Sequence, residues 1–546
     1  MADPAVQALV AEELSGFTGG IFINGGSDGY TDAVEAARAN NNCSPASPAM
    51  VLVPASVADV KAAVSCAAEG DRRGLWGGAP PLTVCGGGHS EMCVADRGIT
   101  MHMKRMATVE VDATSRTVTL GGGATFGQAI EAACAHGLVM PSGTAPSVGI
   151  GAVLCGGVGK LTRAFGLSCD NVLEADVVLA DGTLRTVGDA QGSRNSLKLQ
   201  GTDDPLFWAM RGCGCQFGVV VRLVVRLFKV TGAHHFCGRT MLMGLPPNAP
   251  PSSALAVDKE AAVALLVRAE TSARSLPSAQ SVDLVLGVAP PKADAPPGLM
   301  FCTMPCALVG PGLDSQFIQR DQEALFFTAG YHTKGDGPAY WPIPFEPLTA
   351  PTPPLADAAG VAVQADDVPL QSSGAVSSYV RQIFVDELAA GGWSLLVEHA
   401  LACPSPLGSI VLQHGGGAGR RPSDGVENSS IGARRWEYSV LFMALWEPGS
   451  SVQEAEEARA ASEAWADGGW QMLLDHRIAT GTYSVDINPF RRPTTADREV
   501  ALAYGEHLGR LRELKRELDP TNLFRAGWPL PPLSGDEQAA SPCNAS

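Results

Sequence analysis

The sequence predicts an α+β fold with more than one domain. Between residues 50 and 230, segments typical of strands, helices and hairpins are mixed instead of alternating regularly, which indicates α+β architecture. From about residue 231 to 475, Pro-rich pieces separate longer strand and helix candidates. The chain has 546 residues, 45% of them hydrophobic, which is enough for two or more large cores. We expect residues 535–546 to form a disordered tail.

The first region contains five segments with clear secondary-structure patterns. "AMVLVP" predicts a short strand, and "SVADVKAAVSCAAEG" predicts a helix that is capped by Ser56 and stopped by Gly70. "VEVDATSRTVTLGGG" and "VLEADVVLADGTLRTVG" each predict a β-hairpin, because two alternating runs flank a turn sequence. Between them, "FGQAIEAACAHG" predicts a helix that Gly137 closes.

The later part of the chain contains longer candidates. "SVLFMALW" predicts a buried strand, and "SVQEAEEARAASEAWADGGWQMLL" predicts a solvated helix with an apolar stripe. "REVALAYGEHLGRLRELKREL" predicts one further helix, and "DPTN" ends it because Pro520 cannot continue a helix. Its apolar residues recur at helical spacing: Tyr504, Leu508, Leu511, Leu514 and Leu518.

Charge and composition exclude several classes of protein. The formal net charge of −17 argues against nucleic acid or an anionic membrane as the main partner. The N-terminus has no basic segment before an apolar core, and no apolar run reaches membrane-spanning length. Fourteen irregularly spaced cysteines without a leader indicate free thiols in a reducing compartment. We therefore expect a cytoplasmic protein, with an organelle as the open alternative.

Four glycine clusters fall within about 130 residues: "CGGGHS", "LGGGATFG", "PSVGIGAVLCGGVGKL" and "RGCGCQFGVV". Glycines let a backbone approach a ligand closely and direct successive N–H groups at an anion. Neither a P-loop nor a Rossmann glycine motif is complete. Each cluster alone is compatible with a turn, and His89 alone with a hydrogen-bonded loop histidine. Together the clusters favour a large phosphate-bearing cofactor; the spacing of the histidines and cysteines predicts no metal site.

The order of the motifs resembles one family. "VLVPASVADVKAAV", "TVCGGGHS", "VEVDATSRTVTLGGGATFGQAIEAACAHGLVMPSGTAPSVGIGA", "RAFGLSCDNVLEADVVLADG" and "DPLFWAMRGCGCQFGVVVRL" are similar to the flavin-binding domain of berberine bridge enzyme-like FAD-linked oxidoreductases, in the vanillyl alcohol oxidase/p-cresol methylhydroxylase (PCMH) superfamily. "YGEHLGRLRELKRELDPTNLF" resembles the closing segment of these proteins. The middle of the chain is similar mainly in layout.

The resemblance implies an architecture. It predicts a PCMH-type, two-part FAD-binding domain over residues 1–230, with its core at about 46–230. A second α+β domain over 231–475, an antiparallel sheet covered by helices, would bind the substrate. The segment 476–534 would return to the FAD-binding domain.

The resemblance also implies the residues that hold FAD. His89, in the family's G-G-H-S loop, would be bonded through a ring nitrogen to the flavin 8α-methyl group. Gly86, Gly87, Gly88 and Ser90 would cradle the pyrophosphate. Val220 would lie near the edge of the flavin, and Asn522 would steady the closing segment. The stretch from adenosine to flavin would be lined by Ser142, Gly143, Val148, Gly149, Gly156 and Gly157.

Several positions depart from the family. Many relatives carry a second flavin link from a cysteine where this chain has Ala145, so we expect one covalent link. Cys155 is out of phase with that position and is expected to be a packing residue. Cys85 stands where an Arg is usual, so one positive charge near the phosphates is missing.

Catalysis is where the departure is greatest. Leu441 occupies the place of a Gln or Glu that faces the substrate in relatives, and a leucine can neither give nor accept a proton. Tyr438 and Tyr483 remain as candidates for a catalytic base or for orienting the substrate, with an ordinary half-buried tyrosine as the alternative for each. His507 could lie near the flavin or face solvent.

The resemblance implies hydride transfer from an alcohol-type or activated C–H carbon of a small molecule to FAD. Dioxygen or another electron acceptor would then reoxidise the flavin. Two alternatives stay open: a dehydrogenase that excludes oxygen, and a flavin-binding protein that has lost turnover, which Leu441 favours.

Overall fold

The computed structural model describes residues 2–38, 46–94, 96–189, 204–229, 234–236, 239–243, 259–288, 299–308, 377–420, 429–447, 451–489, 491–527 and 530. The predicted tail at 535–546 and most of the Pro-rich pieces lie outside these residues. No helix in this part of the chain is long and apolar enough to cross a membrane.

A mixed four-stranded sheet forms the first unit, in the order β1-β2-β4-β3. Strand β1 is antiparallel to β2, whereas β2, β4 and β3 are parallel. Because β3 and β4 run the same way, their carboxyl ends meet at one edge, where Cys85 lies opposite His102 and the first glycine loop begins. The elements are α1 (Pro4–Glu13), β1 (Gly20–Ile23), α2 (Tyr30–Ala36), β2 (Met50–Val53), α3 (Val57–Arg72), β3 (Leu82–Cys85) and β4 (Ile99–His102).

A five-stranded antiparallel sheet forms the second unit, in the order β5-β6-β10-β8-β9. Both predicted hairpins are present as β5–β6 and β8–β9, and β10 lies between them in the sheet. The elements are β5 (Val109–Asp112), β6 (Thr117–Gly121), α4 (Phe126–Cys134), β7 (Leu138–Val139), α5 (Thr162–Phe165), β8 (Val172–Val178), β9 (Leu184–Gly188), α6 (Pro205–Met210), β10 (Val219–Arg226) and β11 (Phe228–Lys229).

The third unit is a larger antiparallel sheet, in the order β12-β15-β14-β17-β18-β16-β19, with β13 also paired to β15. Helices α7, α8 and α10 cover one face of the sheet and share a hydrophobic core with it. The elements are β12 (His234–Phe236), β13 (Arg239–Met243), α7 (Lys259–Arg274), β14 (Gln280–Val288), β15 (Leu299–Leu308), β16 (Ser377–Val385), α8 (Ala389–Leu401), β17 (Ser409–His414), α9 (Gly417–Arg420), β18 (Tyr438–Trp446), α10 (Val452–Asp475) and β19 (Ala479–Thr482).

The C-terminal helices α11 (Ala496–Tyr504) and α12 (Leu508–Leu518) pack into the core of the five-stranded unit. Lys515 fastens this segment: its buried ammonium donates hydrogen bonds to Asp519 and to the carbonyl oxygens of Gln216 and Phe524. A buried ammonium is stable only when its donors are satisfied, as they are here. The C-terminal segment is therefore held against the first half of the chain.

Two local predictions are wrong. The helix α3 does not stop at Gly70 but continues to Arg72; glycine at position 70 makes room for the Trp76 ring, which a Cβ atom there would meet at 2.1 Å. The single C-terminal helix is broken into α11 and α12 at Gly505, whose φ of 52° lies outside the helical region. The mixed α+β fold itself is confirmed.

Candidate functional site

The first glycine loop, Gly86–Gly88, leaves the carboxyl end of β3 and packs tightly against the segment that contains Gly149. A Cβ atom on Gly87 would lie 2.3 Å from the Gly149 nitrogen, and one on Gly149 would lie 2.4 Å from the Gly87 nitrogen. Gly88 has φ 74°, which favours glycine. The two backbones can approach this closely because neither carries a side chain.

His89 follows this loop and is half-buried. Its Nε2 atom lies 2.9 Å from the Ser147 hydroxyl, two residues after Ala145. Ser90 caps the next turn, because its hydroxyl accepts a hydrogen bond from the backbone N–H of Met92. The structure thus brings His89 close to the segment that contains Ala145, the position at which we expect no second flavin link.

Val220, another predicted position, converges on the same place together with Gly122 of the second glycine cluster. A Cβ atom on Gly122 would lie 2.3 Å from the Val220 carbonyl oxygen, and one on Gly86 would lie 3.7 Å from the Gly122 carbonyl oxygen. Val220, at the start of β10, is buried. Four segments that are distant in sequence therefore present backbone to one another around the His89 loop.

Two of the remaining glycines of the predicted site, Gly156 and Gly157, lie next to Tyr483. Gly156 and Gly157 have φ values of 133° and 76°, and the Gly157 N–H donates a hydrogen bond of 2.7 Å to the Tyr483 hydroxyl. Gly143 follows Ser142, whose hydroxyl donates to the Gly143 carbonyl. Val148 packs at the edge of the core of the five-stranded unit.

Buried amide groups lie in the fourth glycine cluster and in the closing segment. Both side-chain polar atoms of Gln216 and the Oδ1 atom of Asn522 are buried without a hydrogen-bond partner among the described residues. Buried polar atoms in proteins are almost always paired, so unpaired ones indicate a polar ligand or water. Asn522 was predicted from the sequence, whereas Gln216 was missed. The available signal for Gln216 was its place in the fourth glycine cluster.

The two predicted catalytic tyrosines lie in different environments. Tyr438 is fully buried on the helix-covered face of the third sheet, where it stacks on His414 with ring centroids 5.2 Å apart. Tyr483 packs with Phe384 in a cluster beside Gly156 and Gly157. Burial raises the pKa of both phenols. The structure therefore brings Tyr483, but not Tyr438, to the glycine segments.

The opposite face of the third sheet points toward the glycine segments. Phe384 is paired with Ser439 across β16 and β18, and Gln382 is paired with Leu441, so these side chains share one face. Gln382 donates a short hydrogen bond to the Ser439 hydroxyl. Sequence reasoning missed Gln382, because strand pairing between residues far apart in the chain is not visible in a local pattern.

Three other positions singled out from the sequence pack against protein groups. The Cys85 thiol is buried and donates to the Ala37 carbonyl oxygen at 3.2 Å. His507 is half-buried in the turn between α11 and α12, with its ring edge-on to Trp208 at 5.4 Å. Cys155 lies 3.7 Å, sulfur to sulfur, from Cys215.

Comparisons with known proteins agree with this architecture. Residues 48–188 match the family described as FAD binding domain, and residues 490–529 match the family described as berberine and berberine like. These two matches define the class: the chain carries an FAD-binding domain with a berberine-type closing segment.

Several relatives are FAD-linked oxidoreductases or oxidases. The FAD-linked oxidoreductase hasG of Aspergillus fumigatus is 38% identical over 218 residues, which are 39% of this chain and 42% of the relative. The (R)-6-hydroxynicotine oxidase of Paenarthrobacter nicotinovorans is 34% identical over 32% of this chain and 35% of the relative. The chain thus aligns with less than half the length of these two proteins. An FAD-linked oxidoreductase of Dictyostelium discoideum is 23% identical over 89% of both chains.

Solved structures share the whole fold. Berberine bridge enzyme from Eschscholzia californica superposes with a TM-score of 0.72 at 16% identity, covering 97% of this chain and 99% of the other. The 6-hydroxy-D-nicotine oxidase of Arthrobacter nicotinovorans gives 0.68 at 22% identity, covering 95% and 98%. The predicted similarity to berberine bridge enzyme-like FAD-linked oxidoreductases, with their PCMH-type fold, is confirmed.

Proposed function

We propose that the protein is an FAD-dependent oxidoreductase that oxidises a small molecule at an alcohol-type or otherwise activated carbon. The observation that carries this proposal is the convergence of Gly86–Gly88, Gly122, Gly149 and Val220 around the His89 loop. Bare backbone of this kind can direct N–H groups at a pyrophosphate. In a chain with a net charge of −17, such local donors have to offset the repulsion of an anionic ligand.

The residues of the site fit FAD. Gly86, Gly87, Gly88 and Ser90 would hold the pyrophosphate, and the unpaired amides of Gln216 and Asn522 would bond polar atoms of the cofactor. When bound, FAD accepts a hydride from the substrate and passes two electrons to dioxygen, which becomes hydrogen peroxide. The remaining backbone contacts would come from Ser142, Gly143, Val148, Gly149, Gly156, Gly157 and Val220.

We place one covalent tether at His89. The neutral ring nitrogen of His89 is the nucleophile that would hold the flavin, through the carbon of its 8α-methyl group. Ala145 can form no second link because it lacks a nucleophile. Attachment through a single histidine is therefore the arrangement that this chain supports best.

On the substrate side, the sheet face that carries Phe384 also carries two hydrogen-bonding groups, Gln382 and Ser439. Ser439 is the direct strand partner of Phe384, which contacts Tyr483, and Gln382 lies two residues from Phe384 on the same face. An amide and a hydroxyl can orient a substrate hydroxyl but cannot take its proton at neutral pH. Tyr483 already accepts a hydrogen bond from Gly157 and would hold that backbone in place. We therefore expect turnover to depend on orientation more than on a strong base.

Acid precipitation of the purified protein tests the tether. We expect a yellow pellet and one FAD-sized mass increment in the unmodified chain, both lost in His89→Ala. The matched control His136→Ala changes an exposed histidine outside the site and should keep both. Flavin released entirely into the supernatant of the unmodified protein would contradict covalent attachment, and a mass increment that survives in His89→Ala would reveal a second link.

A second candidate function is flavin binding without turnover, and Leu441 is the observation that favours it. Anaerobic mixing with a panel of sugars, alcohols and phenolics separates the two. Bleaching of the flavin by any member of the panel supports the oxidoreductase. The rate of reoxidation by air, compared with reoxidation by a dye, then distinguishes an oxidase from a dehydrogenase.

A further inference from the structure

A charged cluster joins the loop after His89 to two distant parts of the chain. Glu91 Oε2 accepts a hydrogen bond of 2.9 Å from Asn488 Nδ2 and lies 3.1 Å from Arg491 Nε. The guanidinium of Arg491 extends further, to Glu463 of α10, at 2.6 Å. The cluster therefore links the His89 loop, the returning C-terminal segment and the third unit.

The cluster is shielded from solvent. The side chains of Glu91 and Arg491 are 15% and 19% exposed, respectively. A shielded carboxylate is stable mainly when a cation and hydrogen-bond donors face it, so truncating one partner leaves a charge without compensation. Burial raises the pKa of Glu91, and Arg491 is the largest opposing influence. These contacts therefore restrain the loop more strongly than a fully exposed ion pair would.

The cluster borders a cleft of about 570 Å³ between the first unit and α10. Both Glu91 and Arg491 line this cleft, together with Tyr379, Asp467 and the exposed Arg459. Because one side of the cluster opens to the cleft, water can fill the space that a shorter side chain leaves.

We propose that Glu91 and Arg491 are positioning residues that hold the His89 loop in place for flavin attachment. The inference rests on the proposed attachment of FAD through His89. Glu91 is two residues from His89, so its anchoring limits the movement of the loop. The anchor comes from residues about 400 positions away, so the loop is fixed only when the C-terminal segment has folded back onto the first unit.

Hydrogen exchange of the flavin-free chain tests the positioning directly. In Arg491→Ala, the backbone amides of residues 88–94 should exchange about tenfold faster, as expected when a buried charged group loses its partner. The amides of β6 should not change. Arg491→Lys keeps the charge and should restore part of the protection, and the matched control Arg459→Ala, in the same cleft, should leave it unchanged. Equal exchange in Arg491→Ala and the unmodified chain would overturn the proposal.

The covalent fraction after addition of FAD supplies the second measurement. In Glu91→Gln and Arg491→Ala, total bound flavin should persist while the acid-stable fraction falls about tenfold relative to the unmodified chain. If Arg491→Ala does not fold, Glu91→Gln and Arg491→Lys carry both measurements. An acid-stable fraction unchanged in every variant would overturn the proposal. Flavin that is released by acid from the unmodified chain would instead refute the His89 tether, and hydrogen exchange would still decide the role of the anchor.

Discussion

The glycine segments around His89 and the face of the third sheet that carries Gln382 and Ser439 are built in different ways. The first site consists of backbone: Gly87 and Gly149 approach so closely that a methyl group on either would overlap the other. The second consists of side chains, such as Gln382 and Ser439, that meet only because β16 and β18 are paired. A site made of backbone requires glycine and so leaves a sequence pattern, whereas a site made of paired side chains does not.

The strongest test of this difference is to add one methyl group to the backbone site. Gly87→Ala would place a Cβ atom 2.3 Å from the Gly149 nitrogen. An overlap of this kind costs about 1–3 kcal/mol, or about five- to 150-fold in flavin affinity. The ratio of flavin to protein absorbance measures the loss. Gly151→Ala is the matched control, because no atom lies within 4 Å of its Cβ position; equal flavin content in the two variants would contradict a backbone-built site.

Tyr483 connects the two regions, and Tyr483→Phe separates its possible roles. Loss of the hydroxyl leaves the buried Gly157 N–H without its acceptor, at a cost of about 1–3 kcal/mol in the free energy of unfolding. Urea denaturation of the apo-protein measures this cost. If the phenol only positions the backbone, Tyr483→Phe should change the activation free energy of flavin reduction by substrate less than it changes the free energy of unfolding. A fall of more than about a hundredfold in that rate, with flavin content retained, would make Tyr483 a proton acceptor instead.

A buried histidine on the opposite, helix-covered face of the third sheet should make stability depend on pH. His414 is buried between Arg163 and Glu437, and burial lowers its pKa to about 4. The stability that this neutral imidazole contributes is fully present above its ordinary pKa of about 6.5 and is lost as the pH falls toward 4. Between pH 7.5 and 5 we expect a loss of about 1–2 kcal/mol in the free energy of unfolding.

Urea unfolding at the two pH values, for the unmodified chain and for His414→Gln, checks this expectation. The variant has no imidazole to protonate, so its stability should depend less on pH. An equal dependence in both proteins would assign the effect to other groups, among them Glu437.

The sequence predicts a structural feature when the interactions that form it join residues close together in the chain. Ser56 as the cap of α3, both hairpins and the buried strand at β18 were predicted correctly, because capping, turns and alternation act over a few residues. The failures arose where a distant contact overrode a local signal. Gly70 lies inside a helix, where it makes room for the Trp76 ring, whereas Gly505 breaks a helix.

The sequence by itself determined the class of cofactor site, because glycines that allow close backbone approach can be recognised one segment at a time. The tertiary structure alone decided which side chains face that site. It placed Tyr438 in the core beneath the helices and Gln382 on the opposite face of the sheet. It also brought Arg491 to Glu91, about 400 residues away in the chain. The physical reason is that the side of a strand and the partner of a charge are set by pairing between distant segments, which local composition does not encode.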